Sequence, residues 1–173
     1  PYVVTIPTNA LLPHVIEDAT KEILEECRGV RLIVNLSLDG VGEKHDQIRG
    51  IEGNFDRWMD TFQRLKRLKA EYGNLSIGIH SVISKYNVDH VLHLYEFVKV
   101  LSSDSYITEV AEERTELFTV NSDITPDPKS YAETINSVSE RIRKDYIKYK
   151  GLFNRIVQSF RVTYYEIVKQ QLW

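Results

Sequence analysis

The sequence predicts an α/β fold: a partial parallel (β/α) barrel segment of about four strands, followed by a C-terminal helical pair. Three observations carry this. Four apolar runs rich in β-branched residues lie near residues 2–6, 30–36, 75–83 and 106–110. The stretches between them repeat apolar residues at helical spacing, and strands alternating with helices imply parallel pairing with right-handed crossovers. After residue 121 the strand pattern stops and two amphipathic helical patterns follow. Four strands are too few to close an eight-stranded barrel, so the sheet is open or part of a larger one.

The first run, Tyr2-Val3-Val4-Thr5-Ile6, reads as a short buried strand broken by Pro7-Thr8-Asn9-Ala10. Pro13 suits a first helical turn, where its missing N–H would be unpaired anyway. Leu12, Val15, Ile16, Ala19, Ile23 and Leu24 then recur at helical spacing as far as Cys27. That places Cys27 on an apolar face as a small core residue. Gly29 ends the helix, and Val30 to Leu36 forms the central strand, closing in Ser37-Leu38-Asp39-Gly40. Asn54 is placed to cap the next helix, whose apolar face is Phe55, Trp58, Met59, Phe62, Leu65, Leu68 and Tyr72, with Gly73 as the stop.

Leu75 to Ile83 is the third strand, with the imperfect alternation expected when both faces are covered. Asp89 opens a helix through Val91, Leu94, Tyr95, Val98 and Leu101, and Tyr106 to Val110 is the fourth strand. The turn-rich stretch 121–128 links this region, residues 1–120, to C-terminal helices over 129–173. In that segment Tyr131, Ile135, Val138, Ile142, Tyr146 and Tyr149 line one helix. Phe153, Ile156, Val157, Phe160, Tyr164, Ile167 and Val168 line the other, after Gly151.

At 173 residues, 42% hydrophobic and 27% charged, the composition is globular. No apolar run approaches the ~20 residues that cross a bilayer, so no membrane partner is expected. The single cysteine excludes an intrachain disulfide and fits a cytoplasmic setting. The net charge of −3 conceals a basic C-terminal segment, with nine Lys/Arg against four Asp/Glu over 129–173. We read those charges as solvated helix faces rather than as a nucleic-acid surface. The chain opens on strand-like sequence without a methionine and closes on Gln171-Leu172-Trp173, which reads as a piece of a longer protein. A barrel segment exposes a sheet edge, so self-association through that edge is expected.

The chemistry-bearing motifs are few. His90, His93 and Glu96 share a helix face but lack a further ligand and read as polar surface. One cysteine cannot supply the thiolates of an iron–sulfur cluster. There is no G-x-S-x-G elbow, Walker pattern or G-x-G-x-x-G. What remains is a ring of polar groups at the strand C-termini, the end that carries ligands in parallel α/β folds. Thr8 and Asn9 follow the first strand, Ser37 and Asp39 the second, Ser81 and Ser84 lie in the third, and Glu109 and Arg114 belong to the fourth or its exit. A carboxylate such as Asp39 suits ribose hydroxyls, and Arg49 suits a carboxylate through a bidentate charged pair. This is binding chemistry for a small zwitterionic nucleoside, with no evident catalytic acid, base or nucleophile.

The order of these motifs resembles a known family. T-N-A at 8–10, V-N-L-S-L-D-G at 34–40, H-D-Q-I-R-G at 45–50 and I-G-I-H-S-V-I-S-K-Y-N at 77–87, with an amphipathic helix after the last, resemble the middle of the radical S-adenosylmethionine (radical SAM) superfamily barrel. I-T-E-V-A-E-E-R-T-E at 107–116 looks like its sixth strand. The resemblance covers roughly residues 1–120. It implies a partial barrel that binds S-adenosylmethionine at strand C-termini, with Asn9, Ser37, Asp39, Arg49, Ser81, Glu109 and Arg114 as cofactor-side residues. Ser37 and Asp39 would lie near the ribose or amino-acid moiety, Arg49 would meet the carboxylate, and Glu109 or Arg114 would line the substrate side.

The family's first two strands, its C-x3-C-x2-C loop and its Gly-Gly-Glu motif do not occur here, and Ala10 stands where the family has the glycine of T-N-G. The resemblance therefore implies S-adenosylmethionine and a [4Fe-4S] cluster in a parent protein, neither expected to be held by this chain alone. The sequence reads as an inactive fragment of a radical SAM enzyme acting on an unknown small-molecule substrate. Two rivals stand beside it. One is a non-catalytic α/β small-ligand-binding or scaffold domain. The other is an unrelated barrel hydrolase or isomerase, which would use Asp39 with His45 or Glu109.

Overall fold

The computed structural model describes residues 2–146 and 151–171. The elements run β1 (Val3–Thr8), α1 (Pro13–Glu26), β2 (Arg31–Ser37), α2 (Glu43–Arg49), α3 (Asn54–Glu71), β3 (Leu75–Ile83), α4 (Val91–Leu101), β4 (Ser105–Val110), α5 (Pro128–Asp145) and α6 (Leu152–Gln171). The four strands form one parallel sheet in the order β1-β2-β3-β4, an α/β fold as the sequence implies. The chain divides into two compact units, Pro1–Val82 with Glu96–Glu109, and Ile83–Tyr95 with Val110–Trp173.

In the first unit the register sorts side chains by face. Val34 pairs with Ile77 and Leu36 with Ile79, and these residues are buried. With Trp58, Phe62, Leu65 and Leu68 of α3 and Leu24 of α1 they make the core. The intervening positions share the opposite face: Thr5 beside Ile33, Pro7 beside Asn35, Asn35 beside Gly78, and Ser37 beside His80. On this face Thr5 and Pro7 are exposed, and Ile33, Asn35, Ser37 and His80 are only half-buried. β1 runs past Pro7 to Thr8, further than the sequence suggests. As an edge strand it tolerates a proline whose missing N–H would not join the ladder.

Three local readings need correction. The first strand is not buried, since the residues of β1 alternate between exposed and half-buried. Cys27 is exposed, not a core residue. The helix ends at Glu26, and Cys27 leaves the helical conformation (φ −114°, ψ 51°), so the helical period no longer carries its side chain inward. Asn54 does not cap α3. The carboxylate of Asp46 takes that place, accepting the N–H groups of Gly53 (2.8 Å) and Phe55 (2.7 Å). These bonds, that from Phe55 foremost, hold the Asp46 carboxyl below the ordinary carboxylate range. Asp46 itself lies on α2, a short helix that the sequence pattern does not announce.

The second unit is held differently. Asn87, fully buried, accepts the Ser84 N–H through Oδ1 (2.7 Å) and so turns the chain after β3. Lys85 pairs with Asp123 (2.7 Å), and the Lys85 N–H donates to the Ile124 carbonyl (3.0 Å). Asp127 caps α5 by accepting the Ser130 N–H (2.9 Å), with Pro128 in the first turn. The α5 face is as read for Tyr131, Ile135, Val138 and Ile142, all buried, whereas Tyr146 is exposed; Tyr149 lies outside the described residues. On α6 the expected apolar face proves exposed at Ile156, Val157, Phe160, Tyr164 and Ile167. The buried side chains there are Tyr165 and Val168; Phe153 is not described at the side-chain level.

Candidate functional site

At the C-terminal ends of β1 to β4 in the first unit, the S-L-D-G and H-D-Q-I-R-G motifs fold into a single clasp. Leu38 continues β2, its N–H donating to the His80 carbonyl (2.8 Å), and its own carbonyl accepts the buried Ser81 hydroxyl. Asp39 is then carried into a buried position where each carboxylate oxygen has a partner. Oδ1 accepts the Val82 N–H (2.9 Å) and Oδ2 meets Arg49 Nη2 at 2.6 Å. Such a charge-assisted pair is strong when one member is shielded from water. Asp39 is shielded and the guanidinium is about a third exposed.

The third partner of Asp39 is one that the sequence reading gave little weight. Its N–H donates to His45 Nδ1 (3.2 Å), and His45 is wholly buried. Accepting at Nδ1 requires the neutral imidazole with its proton on Nε2. Burial lowers the His45 pKa, opposed by the nearby Asp39 charge and reinforced by Arg49. The signal was available, since His45 and Arg49 are four residues apart and so share one face of α2.

Gly40 explains the glycine of S-L-D-G. A Cβ there would lie 2.8 Å from the His45 backbone nitrogen and 3.0 Å from the Lys44 carbonyl carbon, so the start of α2 passes where any side chain would stand. Gly50, in the left-handed region at φ +67°, ends α2 and turns the chain toward α3. After β1 the T-N-A turn spends its polar side chains on its own backbone. Thr8 Oγ1 accepts the Ala10 N–H and Asn9 Oδ1 the Leu11 N–H, each at 3.2 Å. Ala10 is buried and left-handed (φ +61°), a conformation that costs an L-residue about 1 kcal/mol and that a glycine adopts freely. Its carbonyl accepts the Thr61 hydroxyl (2.8 Å), which ties the turn to α3.

The seven candidate residues thus separate. Asp39, Arg49 and Ser81 interlock behind the strand ends. Ser37 and Glu109 stand on the half-covered face, where His80 Nε2 lies 3.4 Å from Glu109 Oε2. Asn9 is exposed at the β1 exit. Arg114 belongs to the second unit, pairing with Glu112 at 3.1 Å. Asn35 and His80, which are not among the seven, share the face of Ser37. Asn35 lies across β3 because Gly78 leaves it room; a Cβ there would fall 1.9 Å from Asn35 Oδ1. The polar residues at alternate positions 35 and 37 were the sequence signal. The arrangement can bind and orient a polar ligand on Ser37, His80 and Glu109. Among the described residues no three His, Cys, Asp or Glu side chains converge to hold a metal ion, and no helix is long and apolar enough to cross a membrane.

No protein-family model matches the chain, and no curated protein is detectably similar to it in sequence. Solved structures do match. Native anSMEcpe with bound AdoMet (S-adenosylmethionine) and Kp18Cys peptide aligns over 83% of this chain at 19% identity with a TM-score of 0.62. Native anSMEcpe with bound AdoMet alone aligns over the same share at 16% identity and 0.59. The chain spans 38% and 37% of those two structures, little over a third of their length. At these identities the likeness is one of fold. The resemblance noted in the sequence is thereby found again in three dimensions: this chain has a fold similar to that of anSMEcpe, a radical SAM anaerobic sulfatase maturase.

Proposed function

We propose that this chain is the central part of a radical SAM enzyme and that AdoMet lies across the C-terminal strand ends of its first unit. One observation carries the reading: the shared fold belongs to an AdoMet-bound enzyme, and the same strand ends here present a half-covered polar face. A parallel sheet is ordinarily buried on both faces. Exposure of Thr5, Pro7, Ile107 and Glu109 therefore favours a sheet that further chain completes.

In this reading Ser37 and Glu109 reach the ligand's polar groups. The Asp39–Arg49 pair holds the loop that frames them and orients the ribose or amino-acid end. Asn9 shapes the β1 exit. A [4Fe-4S] cluster does not fit the residues present. Cys27 is the only cysteine, and it stands between α1 and the start of β2, at the opposite end of the strands from Ser37. Cysteines outside these 173 residues would have to hold a cluster.

The reading frame from which this chain derives is expected to continue upstream and to encode a C-x3-C-x2-C loop. Sequencing of the transcript, with the intact mass of the endogenous protein, tests this. A frame lacking three such cysteines would remove radical chemistry and leave a small-ligand-binding domain.

A further inference from the structure

We propose that His45 is the positioning residue for Asp39, and that protonation of His45 releases the loop over residues 38–50. The first part rests on geometry. The Asp39 N–H donates to His45 Nδ1 at 3.2 Å, inside a site where His45 is fully buried. Asp39 is thus fixed at its backbone by His45 and at its carboxylate by Arg49 and the Val82 N–H. Only neutral imidazole can do this. A proton on Nδ1 would set two N–H donors against each other and leave a cation in a closed site.

The groups facing His45 are few. Asp39 comes from the exit of β2, Arg49 and Asp46 lie on its own helix, and from α3 the Phe55 ring meets the imidazole edge-on at 6.4 Å. The two carboxylates favour the proton, Arg49 opposes it, and desolvation outweighs both. His45 Nε2 meets no hydrogen-bond partner among the described residues, so protonation gains no new bond to offset the lost one. The latch is therefore complete above the free-imidazole pKa of about 6.5 and weakens as pH falls below it toward the depressed native value. That ligand holding weakens with it rests on the function proposed above; the latch itself does not.

Amide hydrogen exchange of this chain tests the latch directly. The probe is the Asp39 amide, and the Leu32 amide, which donates to the Asn74 carbonyl at 2.9 Å, controls for global opening. Between about pH 7.5 and about pH 5.5, protection of Asp39 relative to Leu32, corrected for intrinsic exchange, should fall, by up to the factor of about ten that a free imidazole sets as the limit. His45→Asn, whose Oδ1 reaches the place of Nδ1 and does not titrate, should keep Asp39 protected at both pH values. His45→Gln, which offers no acceptor there, should leave it unprotected at both. Wild-type protection that is flat with pH overturns the proposal, as does a His45→Asn variant that titrates like wild type. The wild-type series alone decides if a variant fails to fold. A parallel AdoMet titration of the full-frame protein should weaken over the same pH range in wild type but not in His45→Asn. Absence of AdoMet binding at both pH values would sink the proposed function and leave exchange to decide the latch.

Discussion

Replacing Asp39 with alanine is expected to lower the stability of the first unit by about 3 kcal/mol, at the low end of what breaking a buried ion pair costs. Three groups lose their partner at once: the Arg49 guanidinium, the Val82 N–H and, through altered backbone position, His45. The low end applies because Arg49 is about a third exposed and water can reach part of its charge. Arg49→Met should cost about as much, since the Asp39 carboxylate keeps the Val82 N–H but is left shielded from water without its counter-charge. The double variant should fall well short of the sum of the singles, because both remove one interaction. Urea denaturation of the four proteins measures this. Strict additivity would mean that the two charges do not interact.

The second large effect concerns Gly40. Gly40→Ala is expected to cost about 2 kcal/mol, as an overpacked buried position whose nearest neighbour is backbone rather than a movable side chain. The strain falls on the His45 backbone nitrogen, so the Asp39 amide should lose exchange protection along with global stability. The control is Gly73→Ala, where a Cβ would meet open space and the backbone is not in the positive-φ region. Thermal unfolding of both variants separates them. A Gly40→Ala variant as stable as wild type would show that α2 does not pass as close as described.

Much of the fold was legible because periodicity is strong where burial is one-sided. The spacing of Trp58, Phe62, Leu65 and Leu68 marked α3, and the β-branched run before Ser37 marked β2. What escaped had local causes. α2 has seven residues with a single aliphatic side chain, Ile48, so no apolar repeat announces it. Asn54 has good capping chemistry, but Asp46, eight residues earlier, is returned to the same N-terminus by the turn at Gly50, a contact that no local pattern encodes. On α6 the apolar repeat is real, yet the structure buries Tyr165 and Val168 while Phe160 and Ile167 stay exposed. Periodicity marks an amphipathic helix without saying which stripe meets this chain. At the site, residue types pointed to Asp39 and Arg49 separately. Only three dimensions show that each neutralises the other, and that His45 completes the clasp.

The most direct test of the central claim is AdoMet binding by equilibrium dialysis, using the protein from the uninterrupted reading frame and its single-site variants. The expected result is one AdoMet per chain, weakened about tenfold by Ser37→Ala, the loss of one hydrogen bond to a buried ligand. Cys27→Ser, exposed at the other end of the strands, should leave the affinity unchanged. No AdoMet binding, or binding indifferent to Ser37, would contradict the assignment of this strand end as the cofactor site.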